Sequence, residues 1–170
     1  MGFDKKFYMN NFFKLERYRV SADKFSEDAP EVNEATVKIS VPARNIPRGF
    51  DARCFAVYQP GDRKFRALSA TSGGNGTVDA LDRALRKLLV PIYPFLKDVR
   101  LIRYGVQNTS FKAGTSSEVE VFILATNGEG KLYYSEVYSK SVIEASFLAL
   151  ANIYNRYFRD DYNVRRKPGK

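Results

Sequence analysis

Apolar and polar positions alternate strictly in two stretches of this chain. Between Glu34 and Val41, Ala35, Val37, Ile39 and Val41 alternate with Thr36, Lys38 and Ser40, which predicts a half-buried strand. Val119, Val121, Ile123 and Ala125 alternate in the same way with Glu118, Glu120, Phe122 and Leu124. Shorter signals place strands on either side. A first strand lies within Asn11 to Ala22, centred on Leu15 to Val20, and a polar, acidic loop from Ser21 to Asn33 follows it. Pro42 to Phe50 breaks the pattern. Ala52 to Gln59 then resumes it, and Lys64 to Ala70 returns after a Pro60-Gly61-Asp62 turn. Val99 to Val106 and Leu132 to Ser139 complete the set. Phe111 to Ser117 is a loop around Gly114, and Asn127-Gly128-Glu129-Gly130 is a hairpin turn.

Twice the period changes to that of a helix. After Ser72 to Gly76, a Gly-rich turn, Thr77 is placed to cap a helix that puts Val78, Leu81, Leu85 and Leu88 on one face; Pro91 and Pro94 end it. Ser141, with Glu144 three residues on, reads as a capping box for a second helix packed through Ala145, Ala149 and Ile153. The two helices align on Ala-x-x-x-Ala-Leu, with Ala80, Ala84 and Leu85 against Ala145, Ala149 and Leu150. The order is βββα–βββα with one extra hairpin in the first unit. It predicts an α+β fold of antiparallel sheets with two helices packed on them and a pseudo-twofold core. Such a duplication suits binding between halves or subunits better than a buried catalytic pocket.

Composition narrows the options. At 170 residues the chain is one domain or two small halves, and 44% hydrophobic content is that of a globular protein. No apolar run approaches the ~20 residues of a membrane helix, and the N-terminus lacks the apolar region of a signal peptide, so a cytoplasmic protein is the default. Cys54 is the single cysteine and there is no histidine. No His-based triad or zinc cluster can form, so no metal, cofactor or catalytic residue is assigned. The net charge of +9 suits an anionic partner. However, Arg165, Arg166, Lys167 and Lys170 supply a large part of it from a tail expected to be solvated and disordered, residues 159–170. Tyr133, Tyr134, Tyr138, Tyr154 and Tyr157 resemble a base-stacking surface in number only, and core or interface packing explains them better.

The best candidate for binding chemistry is Gly73-Gly74-Asn75-Gly76 before the first helix. Glycines admit a ligand to the backbone, and free N–H groups at a helix start attract a phosphate or carboxylate. A plain strand-to-helix turn explains the same residues. Asp79 and Asp82 can hold an ammonium or merely complement the helix dipole. Glu118 and Glu120 form a carboxylate pair or an exposed polar face.

Five blocks in order, YRV…EATVKISV, GGNGTVDALDRALRK, YPFLKDVRLIRYGV, AGTSSEVEVFI and SVIEASFLALANI, resemble the C-terminal regulatory domain of α-isopropylmalate and citramalate synthases, with ALDRALRK…YPFLKDVRL most like the citramalate branch. The resemblance covers about Phe12 to Phe158, after a lead of residues 1–11, with units at 12–95 and 96–158. It implies two βββα units, homodimerisation, and feedback binding of leucine or isoleucine in cooperation with a separate catalytic (β/α)₈ barrel. By itself the chain would then not be an enzyme. The implied effector residues are Gly74, Gly76, Val78, Asp79 and Ala80 at the first helix start. Leu101, Tyr104, Asn108, Ser117, Val119 and Val142 join them from the second unit. Backbone N–H groups would take the carboxylate, Asp79 or a carbonyl the ammonium, and Val78, Leu101, Val119 and Val142 the branched side chain. Two positions depart from the family pattern: Thr77 replaces a proline, and YSEVYSKS replaces a glycine-bearing strand before the second helix. The alternatives are a pairing module without effector binding and, more remotely, a basic nucleic-acid-binding module.

Overall fold

The alternation in Glu34 to Val41 builds the centre of the first sheet. In a computed structural model, which describes residues 12–50, 64–109 and 117–166 with side chains through residue 160, Ala35, Val37, Ile39 and Val41 are all fully buried. Strands β1 (Lys14–Asp23), β2 (Val32–Pro42) and β3 (Phe65–Gly74) pair antiparallel in the order β1-β2-β3. Helix α1 (Thr77–Leu89) lies mainly across β2 and β3. Its buried stripe is Ala80, Leu81, Ala84, Leu85, Leu88 and Leu89, while the expected Val78 is only half-buried. The helix ends at Val90, just before Pro91, as the missing proline N–H requires.

The second unit repeats the plan. Strands β4 (Arg100–Asn108), β5 (Val119–Thr126) and β6 (Leu132–Ser139) form a second antiparallel sheet, and α2 (Val142–Arg166) packs over β5 and β6. Val121, Ile123 and Ala125 are fully buried beneath Ala145, Ala149 and Ile153. Asn127 closes the β5–β6 turn: its Oδ1 accepts from the N–H groups of Glu129 (3.1 Å) and Lys131 (2.8 Å), and Gly130 takes φ +80°. The chain divides between the units at Pro94 and Phe95. The fold is α+β, two βββα units that match element for element.

Several boundaries differ from expectation, each for a physical reason. Strand β3 runs through Gly74, because Gly73 and Gly74 pair with Glu34 and Asn33; the Gly-rich turn shrinks to Asn75-Gly76. The strands also consume both ends of the Ser21 to Asn33 loop, since ladder pairing reaches Asp23↔Val32. Gly76, not Thr77, is the N-cap. Helix α2 continues to Arg166, past the Phe158 boundary. Cys54, the strand at Ala52 to Gln59 and its extra hairpin, most of the loop around Gly114, and residues 167–170 lie outside the described residues.

One duplicated signal lies in the strands rather than the helices. Leu15-Glu16-Arg17-Tyr18-Arg19-Val20 and Leu101-Ile102-Arg103-Tyr104-Gly105-Val106 share Leu-x-Arg-Tyr-x-Val, and both strands bulge between the Leu and the Arg. The bulge inserts one residue and turns the following side chains to the opposite face. Tyr18 then stands opposite Val37 and Tyr104 opposite Ile123, on the helix side of each sheet. This correspondence fixes the equivalences used below: Asn33 with Val119, and Gly74 with Ser139.

Candidate functional site

The end of β3 and the first turn of α1 are held together by the lack of a side chain at Gly74. A Cβ built there would lie 2.4 Å from the Ala80 nitrogen and 2.8 Å from the Asp79 carbonyl carbon. The helix backbone therefore sits directly on the sheet. Ala80 is fully buried in that contact, so it positions the turn and presents little surface to a ligand. Gly76 has no side chain with which to cap, and no side-chain bond closes the N-cap; the first-turn N–H groups of Thr77, Val78 and Asp79 face out of the helix end. A Cβ at Gly76 would meet nothing within 4 Å. This end has the donor set and the clearance an anion needs.

Asp79 is already engaged. Its Oδ2 accepts from the Asn75 N–H at 2.8 Å and pairs with Arg83 Nε at 3.0 Å. Burial acts to raise its pKa, but the Asn75 N–H and the Arg83 guanidinium outweigh it and hold the carboxyl below its ordinary value. A lowered folded-state pKa gives stability that is complete above the ordinary carboxylate pKa and is lost as pH falls through the folded value. The side chain is 38% exposed, so solvent screening keeps the pair small. Asp79→Asn is expected to lower the urea midpoint slightly at neutral pH, by about 0.5 kcal/mol or less. The difference should vanish in strong acid. Asp82 pairs with Arg86 at 2.9 Å, so neither aspartate is an idle ammonium receptor.

At the equivalent place in the second unit the helix start is closed. Ser141 Oγ accepts the Glu144 N–H at 3.2 Å, the expected cap. The other half of the box is relayed: the Ser141 N–H goes to Ser139 Oγ at 3.1 Å, and that hydroxyl donates to Glu144 Oε2 at 2.5 Å. Ser139 occupies the position that is Gly74 in the first unit, and its hydroxyl seals the turn. The YSEVYSKS departure thus has a structural consequence: α1 starts open and α2 starts capped.

The second unit's expected effector residues fall in three places. Asn108 and Val119 are directly paired, Ser117 lies two residues before Val119, and Ser139 flanks Val119 on the other side, all at the sheet end next to the α2 start. Ser117 and Val119 are buried and Asn108 is exposed. Tyr104, half-exposed, reaches the same helix: its hydroxyl lies 3.0 Å from Ser146 Oγ, which donates to the Val142 carbonyl at 2.7 Å. Leu101 pairs with Ala125 at the far end of β4, roughly 20 Å along the strand from Asn108.

The tyrosines divide. Tyr133, Tyr154 and Tyr157 are buried, with Tyr133 and Tyr157 edge-to-face at 5.6 Å, as packing predicts. Tyr134 and Tyr138 stand outward on β6, where both hydroxyls donate to the Glu136 carboxylate. That bond pushes the Tyr138 phenol up to about 12 and holds Glu136 low. A carboxylate between exposed rings repels phosphate, which argues against a nucleic-acid face. Glu120 accepts from Gln107 Nε2 at 2.5 Å, and Glu118 is exposed, as on a polar face. Among the described residues no group of His, Cys, Asp and Glu is arranged to hold a metal ion, and no helix is long and apolar enough to cross a membrane.

The sequence matches a known family model, the LeuA allosteric (dimerisation) domain, over residues 3–158. The chain belongs to this family. Relatives include proteins named (R)-citramalate synthase from Aquifex aeolicus, 37% identical over 142 residues, and Streptomyces coelicolor, 34% identical over 146 residues; each match covers 84% of this chain and 22% of the relative. One from Geobacter sulfurreducens is 31% identical over 139 residues, 82% of this chain and 22% of its own length. The chain therefore spans about a fifth of the length of these relatives. Sequence reasoning did not single out Asn33 or Ser139, which flank the two helix starts; their positions come from cross-strand register, fixed by the bulge and the turn.

Proposed function

We propose that this LeuA-type domain is the regulatory, self-associating part of a citramalate synthase-type acyltransferase. It binds a branched-chain amino acid, leucine or isoleucine, at the start of α1 for feedback inhibition. The observation that carries this is the contrast between the open α1 start and the self-capped α2 start. The first offers free N–H groups to a carboxylate beside half-buried Val78, and the second has spent the Glu144 N–H on Ser141 and the Ser141 N–H on Ser139. Burying a four-carbon side chain contributes roughly 2–3 kcal/mol, so the polar ends must supply much of the affinity. Catalysis belongs to a separate (β/α)₈ barrel in this reading, in keeping with relatives about five times as long.

Calorimetric titration of the chain with leucine, isoleucine and valine tests the reading. The expected result is saturable heat with one of them at one ligand per chain, accompanied by a rise in melting temperature. No heat and no melting shift at millimolar ligand overturns effector binding. The closed α2 start favours a second reading, a pairing module that no longer senses; a dimer indifferent to all three amino acids is its signature.

A further inference from the structure

We infer that Asn33 is a ligand-contacting residue of the α1 site, its carboxamide oxygen receiving the ammonium group of the amino acid whose carboxylate lies on the first-turn N–H groups. This rests on the effector reading above and adds to it the group that distinguishes an amino acid from a simple carboxylic acid.

Asn33 is only 3% exposed, yet its Oδ1 has no hydrogen-bond partner. Buried polar atoms are nearly always paired, so an orphan acceptor needs a reason. Its direction follows from the register. Asn33 alternates with Ala35, Val37 and Ile39 on the buried, helix-facing side of β2, and it stands directly opposite Gly74. Cross-strand partners project to the same face, and the Cβ direction of Gly74 runs into the Asp79–Ala80 peptide. The Asn33 side chain therefore emerges beside the first turn of α1.

The site then holds two complementary sets within one unit. Uncapped N–H groups suit a carboxylate, and an unpartnered amide oxygen suits a donor. An amino-acid zwitterion presents both as substituents of one carbon. Asp79, the other candidate for the ammonium, is held by Asn75 and Arg83. In the second unit both features disappear together: Val119 stands where Asn33 does, and Ser139 stands where Gly74 does. At this end of the sheets, the carboxamide stands in the unit whose helix start has no side-chain cap.

The test compares isoleucine and leucine with their amine-free counterparts, 3-methylpentanoate and 4-methylpentanoate, by calorimetry. The 170-residue chain is set beside Asn33→Ala and Asn33→Val, the latter restoring the residue type of the second unit. Melting curves show which variants are folded. The wild-type chain is expected to prefer the amino acid over its amine-free counterpart by about tenfold or more. A folded Asn33 variant should lose that preference, binding the amino acid about tenfold more weakly and the carboxylic acid unchanged. Equal losses for both ligands, or no loss, overturn the inference while leaving the effector reading intact. So does a wild-type chain that binds the amine-free acid as tightly as the amino acid. A wild-type chain that binds none of them overturns both.

Discussion

Gly74→Ala should be the most damaging small substitution in the first unit, costing about 3 kcal/mol in urea unfolding. The added methyl would lie 2.4 Å from the Ala80 nitrogen and 2.8 Å from its Cα, both backbone atoms of a helix pinned by Leu81, Leu85 and Leu88. No side chain can swing aside, so either α1 lifts from the sheet or β3 loses its pairing with Asn33. Gly73→Ala is the control. Its Cβ would meet only the Asn33 carbonyl, at 3.5 Å, which is ordinary contact, and replacing a strand glycine with alanine gains backbone entropy. Gly73→Ala should be neutral or mildly stabilising. If the two variants unfold at the same midpoint, the tight seating of α1 on Gly74 is wrong.

Gly76→Ala separates fold from function. The residue has φ −165° and ψ 170°, extended backbone open to any residue, and its Cβ would find nothing within 4 Å. Alanine is a poorer N-cap than glycine, so a loss of about 0.5–1 kcal/mol in stability is expected, and the fold survives. The methyl would nonetheless stand at the helix end where the proposed ligand carboxylate would approach the first-turn N–H groups. Affinity for the effector should fall by more than about tenfold, the worth of losing close charge-assisted hydrogen bonds. Calorimetry of the variant beside wild type reads this directly, and unchanged affinity would place the carboxylate elsewhere. Together the two glycines make a sharp pair: position 74 is required by packing, and position 76 is the one the proposal requires for access.

How much of this was legible in the sequence depended on which physical signal each element carries. Strands β2 and β5 are central in their sheets, so one face is buried along its whole length and period-two alternation appears without noise. The α1 stripe was equally plain, because Leu81, Leu85 and Leu88 recur at helical spacing. Edge strands β1 and β4 gave a weaker signal. Their helix-side residues are only partly covered, as at Tyr104 and Val106, and a bulge shifts the period midway. The repeated Leu-x-Arg-Tyr-x-Val is visible once the strands are aligned on that bulge. The Gly-rich stretch misled at its edges, since composition cannot separate a glycine that ends a strand from one that begins a helix. At the site, the importance of Gly74 to Ala80 came from the residues and from the family resemblance. The burial of Asn33 did not, because a polar residue at the rim of an acidic loop reads as solvated. The sealing of α2 by Ser139 was likewise hidden, since a serine in a strand gives no hint of which backbone group its hydroxyl will reach.

If effector binds as proposed, the relay from Ser141 through Ser139 to Glu144 also limits how sharply the molecule responds. A duplicated unit could have given each chain two effector positions and a pair of chains four. With the second helix start capped, a pair of chains would carry two under that proposal. The Hill coefficient of a binding curve cannot exceed the number of interacting sites, so a dimeric sensor built from this chain would have its dose-response steepness capped at about two. The hydroxyl that stabilises one turn would thereby set the ceiling on switch-like behaviour.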